Sequence, residues 1–316
     1  MMNMNVSMST VSLDGLTQLY EHRLWLAFFI LFLYVFVMLS DSLVVYIVCS
    51  QRSLHRPMYV FVVAVLVNSA VGSSAVYPKL VWDLVQGRRV VLVSRSACLC
   101  QAFLTATLGS SSFMLLSAMA FDRYLSICHP MYYASLMSPR TVSALLLLCW
   151  FLPALRVAGA MVLSNRLPVC YTQVTRIFCD PYTFTSMSCE GASTQINNAY
   201  GLMSATITIF LPVAFVLFSY GKVLIISLQR SRSFSSKALN TCLPHILVFM
   251  NFSVAASTEL LHRRITARNV TVATSILVVV IPSVFNPVVY GLKVAEIYRH
   301  VKRLLRHPTK TQPFSE

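Results

Sequence analysis

Apolar residues run through this chain in long, nearly unbroken stretches, without the one-faced or alternating patterns of a soluble domain. Crossing the hydrocarbon core of a bilayer takes roughly 20 apolar residues in a helix. Seven stretches reach that length, at approximately 24–49, 58–80, 96–127, 141–163, 197–228, 238–261 and 270–292. Asp41 is the one charge in the first, Arg156 interrupts the fourth, and residues 57–78 and 96–121 carry none. The seventh is the least apolar because of its Thr and Ser content, but its core from Ile276 to Ile281 is strongly apolar. The pattern predicts an all-α membrane protein, a seven-transmembrane helix bundle forming a single domain over 1–316. Past Lys293, residues Val294, Ile297, Tyr298, Val301, Leu304 and Leu305 recur at helical spacing among basic residues. This reads as a short amphipathic C-terminal helix lying on the membrane, its cations at anionic headgroups.

Composition agrees with a membrane as solvent. The chain is 57% hydrophobic and 11% charged, whereas soluble domains run near a quarter charged. Its 25 Lys and Arg outnumber 10 Asp and Glu, for a net charge of +15. Such basicity raises nucleic acid as a partner, but the cations sit in short clusters between uncharged runs. That is loop charge on a membrane protein, and no nucleic-acid partner is expected.

Orientation follows less sharply. With the N-terminus outside, 14 of the 25 cations fall at inner ends, inner loops and tail, a modest positive-inside bias. Asn5-Val6-Ser7 is a glycosylation sequon, which favours an extracellular segment 1–23 with Asn5 as acceptor. Asn251-Phe252-Ser253 is a second sequon, inside a predicted helix where it should be inert. No basic region precedes a short apolar core, so the first span is expected to act as its own signal-anchor. An odd number of spans then leaves 293–316 in the cytoplasm of a multi-pass plasma-membrane protein.

At the inner end of the third span stands Met119-Ala120-Phe121-Asp122-Arg123-Tyr124-Leu125-Ser126-Ile127-Cys128-His129-Pro130. An acid beside an Arg at a helix end is weak evidence alone, but four further segments accompany it in order. They are Leu54-His55-Arg56-Pro57-Met58-Tyr59, Ser219-Tyr220, Lys237-Ala238-Leu239-Asn240-Thr241-Cys242 and Asn286-Pro287-Val288-Val289-Tyr290. Together they resemble the odorant (olfactory) receptors, a branch of the rhodopsin-like G-protein-coupled receptors, over essentially the whole chain. Pro287 removes a backbone donor inside the seventh helix, and Asn286 can bond the freed carbonyls or water. In the family the residues matching Tyr220, Tyr290 and Arg123 exchange partners as the sixth helix swings outward. The resemblance therefore assigns coupling and activation to Asp122, Arg123, Tyr124, Tyr220, Asn286, Pro287 and Tyr290. It implies as partners a small-molecule odorant and a heterotrimeric G protein of the stimulatory olfactory type that raises cyclic AMP, with membrane lipid around them.

Cys98 opens the third span, and Cys170, Cys179 and Cys189 lie in the long second outer loop. Four cysteines allow three pairings, which sequence alone leaves open. The resemblance implies Cys98–Cys179 and Cys170–Cys189. Cys98 and Cys100 do not have the spacing of a tight metal site, and no metal or cofactor is expected.

Two positions depart from the family. Ser40-Asp41 stands where Gly-Asn is usual, and Ser69, beside Asn68, occupies the second-span position that is usually acidic. A carboxylate has moved to the neighbouring helix. Charge at that depth is costly and normally faces the bundle interior. Asp41 is either protonated and bonded to Ser69 or Asn286, or it centres a sodium or proton site.

The family's ligand pocket lies among the third, fifth, sixth and seventh helices. Matching positions here are Thr105, Ala106, Gly109, Ser110, Ser204, Thr208, Ser253, Ala256, Leu260 and Val279. Small side chains and scattered hydroxyls suit a mostly apolar cavity with a few placed polar groups. Lys79, Arg156 and Arg264 add cations in outer helix halves, where charge marks either snorkelling or a cavity. They make an anion (carboxylate, sulfate or phosphate) the candidate ligand.

Other classes lack support. There is no His-Glu-x-x-His, no Gly-x-Ser-x-Gly and no phosphate-cradling glycine loop, so an enzyme is not expected. Internal repeats that would suggest a transporter are missing too. The expected function is an odorant receptor; the alternative is a rhodopsin-like receptor for a non-odorant ligand outside the olfactory epithelium.

Overall fold

The computed structural model describes residues 9–189, 192–229, 232–265 and 268–306. Within them it leaves aside the side chains at 192–194, 232–241, 259–265, 268–271, 273–274 and 304–306. Asn5 lies outside the described residues.

Seven long helices form the bundle. The first, α1 (Arg23–Ser50), shows how one apolar run serves two surroundings. Ala27, Ile30, Leu33, Val37, Asp41, Val44 and Val48 recur every three or four residues and are buried. Trp25, Phe28, Phe32 and Leu39, on the other side, are exposed. A helix apolar all round, with one face packed and the other bare, is in contact with lipid. Helix α2 (Pro57–Val85) begins with Pro57 in its first turn, where a missing N–H costs nothing. Ser94 caps α3 (Arg95–Cys128) by accepting a 3.3 Å bond from Ala97 N. A short α4 (Pro130–Leu136) precedes α5 (Pro139–Asn165), which Ser138 caps through Thr141 N at 3.3 Å.

Between the fourth and fifth spans lies a loop with one short helix, α6 (Pro181–Ser186), closed by a reciprocal cap between Asp180 and Thr183. The fifth span is built in three parts: α7 (Ala192–Ala205), a π-helical turn over Thr206–Phe210, and α8 (Leu211–Leu228). Pro212 brings no N–H to the carbonyl four residues back, so the ladder re-registers just ahead of it. Pro244 sits inside α9 (Arg232–Ile265), and Pro282 and Pro287 inside α10 (Arg268–Lys293). The amphipathic α11 (Ala295–Arg306) follows, with Val294 and Ile297 buried against the bundle.

Two apolar clusters fill the interior. One, at the Asp122–Arg123 end, gathers Phe61, Leu115, Met119, Tyr290 and Ile297. The other, at the disulfide end, gathers Val11, Leu13, Tyr77, Ala102 and Val174.

A small sheet crowns the second cluster, and the hydropathy pattern gives no hint of it. Its order is β2-β1-β3. Strand β1 (Thr10–Leu13) pairs antiparallel with β2 (Val91–Ser94) and parallel with β3 (Gln173–Val174). Val11 and Leu13 point inward from β1, alternating with Thr10 and Ser12. A 3-10 turn over Gly15–His22 then leads into α1. Gly15 passes so close to the β3 loop that a Cβ there would lie 2.7 Å from the backbone of Arg176. No side chain fits at that crossing.

Candidate functional site

Cys98–Cys179 and Cys170–Cys189 are both bridged, with Cα separations of 5.2 and 5.0 Å. The first ties the β3 loop to the start of α3; the second closes the loop on itself. Gln101 on α3 adds a 3.0 Å bond from the Cys179 N–H to its side-chain oxygen. The loop is thus held across the end of the bundle, over a cavity of about 670 Å³ between the helices.

Thr105, Ala106, Gly109, Ser110, Arg156, Ser204, Thr208, Ala256 and Val279 all line this cavity. Four other sequence-derived candidates stand apart. Ser253 instead faces a second groove between α8 and α9 and bonds Phe249 O at 2.8 Å. Lys79 does not line the cavity: its Nζ donates to Asp83 one turn away at 2.6 Å. Leu260 and Arg264 have side chains outside the described residues. The loop contributes residues that span-by-span reading did not find, among them Phe178, Asp180 and Tyr182. Deeper in the bundle, Phe113 and Phe252 meet edge-to-face with centroids 6.2 Å apart and also line the cavity.

Among the described residues, Arg156 is the cation that lines the cavity. Its Nη1 donates to Ser204 O at 2.7 Å and also to Ser204 Oγ. The Tyr200 hydroxyl donates to the Arg156 carbonyl at 2.9 Å, fixing α7 against α5. All of these partners are neutral, and the ion pairs among the described residues do not include Arg156. A half-buried guanidinium with neutral hydrogen-bond partners, and no ion pair among the described residues, leaves its charge poorly compensated in a low-dielectric wall. Arg176, in the loop above, is differently placed: it bonds Ser275 on α10 at 3.1 Å and lies 3.9 Å from Asp180.

Toward the other end a polar chain continues beneath the cavity. Asn68 donates to Leu108 O at 2.9 Å and Ser112 Oγ at 3.0 Å, and accepts from Trp150 Nε1 at 3.1 Å, joining α2, α3 and α5. Asp41 is 2% exposed, and both its carboxyl oxygens are without a hydrogen-bond partner among the described residues. The same holds for Ser69 Oγ, both polar atoms of the Asn286 side chain and the Tyr220 and Tyr290 hydroxyls. These unpartnered polar atoms, spread over α1, α2, α8 and α10 in the interior, call for water or an ion.

At the far end Asp122 is fully buried and accepts from two sides. Arg123 Nε donates to Oδ2 at 2.9 Å, and the Tyr133 hydroxyl from α4 donates to Oδ1 at 2.7 Å. Burial, and then this bond to a carboxylate, push the Tyr133 hydroxyl above its ordinary pKa. Tyr124 stacks edge-on against His129, centroids 5.5 Å apart. Pro287 lies within α10, one residue past Asn286.

Comparison with known proteins gives one consistent result. A family model described as olfactory receptor matches residues 30–307. Human olfactory receptor 51E1 is 30% identical over 301 residues, covering 94% of this chain and 93% of its own. Human olfactory receptor 51E2 is 30% identical over 311 residues, with 97% and 96% covered. Human olfactory receptor 11A1 is 29% identical over 290 residues, covering 88% of each.

Proposed function

The chain belongs to the olfactory receptor family, and from that premise we propose that it detects a small anionic odorant and signals through a stimulatory G protein to raise cyclic AMP. It is a multi-pass membrane protein and a G-protein-coupled receptor, not an enzyme.

The observation that carries the anionic reading is Arg156, a cation in the cavity wall whose partners among the described residues are neutral. A carboxylate, sulfate or phosphate entering there would supply the missing charge, and the planar guanidinium suits its paired oxygens. The apolar remainder of such a ligand would lie against Phe113, Phe252 and Val279. Thr105, Ser110 and Thr208 offer hydroxyls nearby, and Ala106, Gly109 and Ala256 leave room for it.

Coupling is assigned to the opposite end. The Asp122–Arg123 pair clasped by Tyr133 is a closed arrangement, with Arg123 turned to its neighbour instead of to a partner protein. Ligand shifts the population toward an arrangement in which Arg123 is released, provided it binds that state more tightly. The disulfide end then faces the exterior with Asn5 as glycosylation acceptor, and α11 lies on the cytoplasmic leaflet.

A cyclic AMP reporter screen of acidic and neutral small molecules in cells expressing the receptor tests this reading. Acids should dominate the agonists, and Arg156→Gln should raise their half-effective concentration about 10- to 100-fold. Activation by neutral odorants alone would overturn the anionic assignment.

A further inference from the structure

A second set of cations at the disulfide end takes no part in the cavity. Arg23 opens α1, and its guanidinium carbon lies 4.5 Å from the centroid of the Tyr20 ring. Arg89, in the loop after α2, brings its guanidinium carbon to 4.3 Å from the same centroid. Arg88 stands beside it and reaches only the neutral Gln86 oxygen, at 3.2 Å. None of the three lines the cavity. Among the described residues none pairs with a carboxylate, and Glu21, two residues before Arg23, forms no ion pair either.

The cluster is built, not merely exposed. Gly87 adopts φ +67°, the left-handed region open to glycine, and a Cβ there would fall 3.2 Å from Arg23 Cζ and Nε. Arg23 is therefore wedged between the Tyr20 ring and the Gly87 backbone. Its Nε is buried without a hydrogen-bond partner among the described residues. The Thr17 hydroxyl donates to Arg89 O at 3.0 Å and so fixes the loop against the 3-10 turn. Snorkelling cations keep their side-chain freedom and point into water; Arg23 has lost that freedom and has no counter-charge among the described residues. Each guanidinium is attracted to the ring face, but the two repel one another, and a bound anion would relieve that repulsion.

We propose that Arg23, Arg88 and Arg89, gathered around Tyr20, form a second binding site, for an oxyanion of the phosphate- or sulfate-ester class. Guanidinium pairs favour such groups through bidentate charge-assisted bonds. The position fits a lipid headgroup, since Leu24 and Trp25 follow Arg23 directly and are 60% and 79% exposed toward the bilayer. A soluble ester reaching the same surface would use the same chemistry.

The test uses the full-length receptor in dodecyl maltoside micelles, whose headgroups carry no phosphate or sulfate. One arm adds a sulfated galactosylceramide, with unsulfated galactosylceramide as its control; the other titrates inorganic pyrophosphate. The melting temperature should rise by about 5 °C at saturation in at least one arm. A rise with the sulfated lipid alone identifies a headgroup, and one with pyrophosphate a soluble ligand. The exposed pair Arg88→Gln/Arg89→Gln should lose most of that rise while remaining monodisperse, and Tyr20→Leu should halve it. No rise in either arm, or an undiminished rise in the Arg88→Gln/Arg89→Gln protein, overturns the proposal.

Discussion

The hydroxyl of Tyr59, near the start of α2, donates a 2.6 Å hydrogen bond to Oε2 of Glu296 on α11. The two residues are 237 positions apart, and Tyr59 is buried. A neutral donor on a carboxylate in such surroundings is among the stronger single contacts available to a short surface helix. It fixes the position of α11 against the rest of the bundle, beside the Arg123 region.

Tyr59→Phe removes the donor and leaves the ring. Amide hydrogen exchange over 295–306 should accelerate about tenfold or more, the equivalent of roughly 1.5 kcal/mol. Exchange in α3 should stay unchanged. Equal protection in variant and parent would mean that apolar contacts at Val294 and Ile297 hold α11 by themselves.

The clasp at Asp122 gives a pair of opposite outcomes. Arg123→Ala should abolish the cyclic AMP response while leaving surface expression largely intact. Tyr133→Phe removes one of the two residues that donate to Asp122 and should raise ligand-independent cyclic AMP several-fold. A silent Tyr133→Phe together with a normal Arg123→Ala response would remove this end from the signalling mechanism.

The two disulfides close chains of different length, 81 and 19 residues apart in sequence. On loop entropy alone the longer closure stabilises by about 1.3 kcal/mol more. It also fixes the lid over the cavity. Cys98→Ser/Cys179→Ser should therefore reduce surface expression and heat stability more than Cys170→Ser/Cys189→Ser, as read by surface immunolabelling and thermal melts. The reverse order would show that closure within the loop matters more than its anchor.

Asp41 should govern any sodium dependence of signalling. Asp41→Asn keeps shape and removes charge, so the response should become insensitive to sodium between low and high concentration. Asp41→Asn/Ser69→Asp returns a carboxylate to the neighbouring helix and should restore sensitivity. If Asp41→Asn leaves both sodium and pH dependence unchanged, Asp41 is a structural acid.

Span number and the path of the chain were legible because bilayer thickness imposes a length on apolar runs. The cavity-lining positions on α3, α7, the π-helical turn, α9 and α10 followed from the family resemblance, not from periodicity. Lys79, a ligand candidate from its place in an outer helix half, pairs with Asp83 four residues on, the spacing at which opposite charges meet on a helix. Arg156 has no such acid one turn away and remained in the wall. The β1–β3 pairing was not legible, since a four-residue strand at 10 and a two-residue strand at 173 carry no local signal of each other. The π-helical turn escaped too, because Pro212 announces a disturbance of the helix without saying which kind.

That pairing has a practical side for anyone handling the receptor. Strand β1 begins at Thr10 and runs beside the loop whose Phe178 and Tyr182 form part of the cavity wall. Detection epitopes and export sequences are routinely fused ahead of such a chain. Here a fusion is joined, through residues 1–9, to a strand stitched to a loop of the cavity wall, with Gly15 as its tightest knot. Dose–response curves from tagged receptor should therefore be compared with curves from receptor labelled at its other terminus before potencies are assigned to the natural chain.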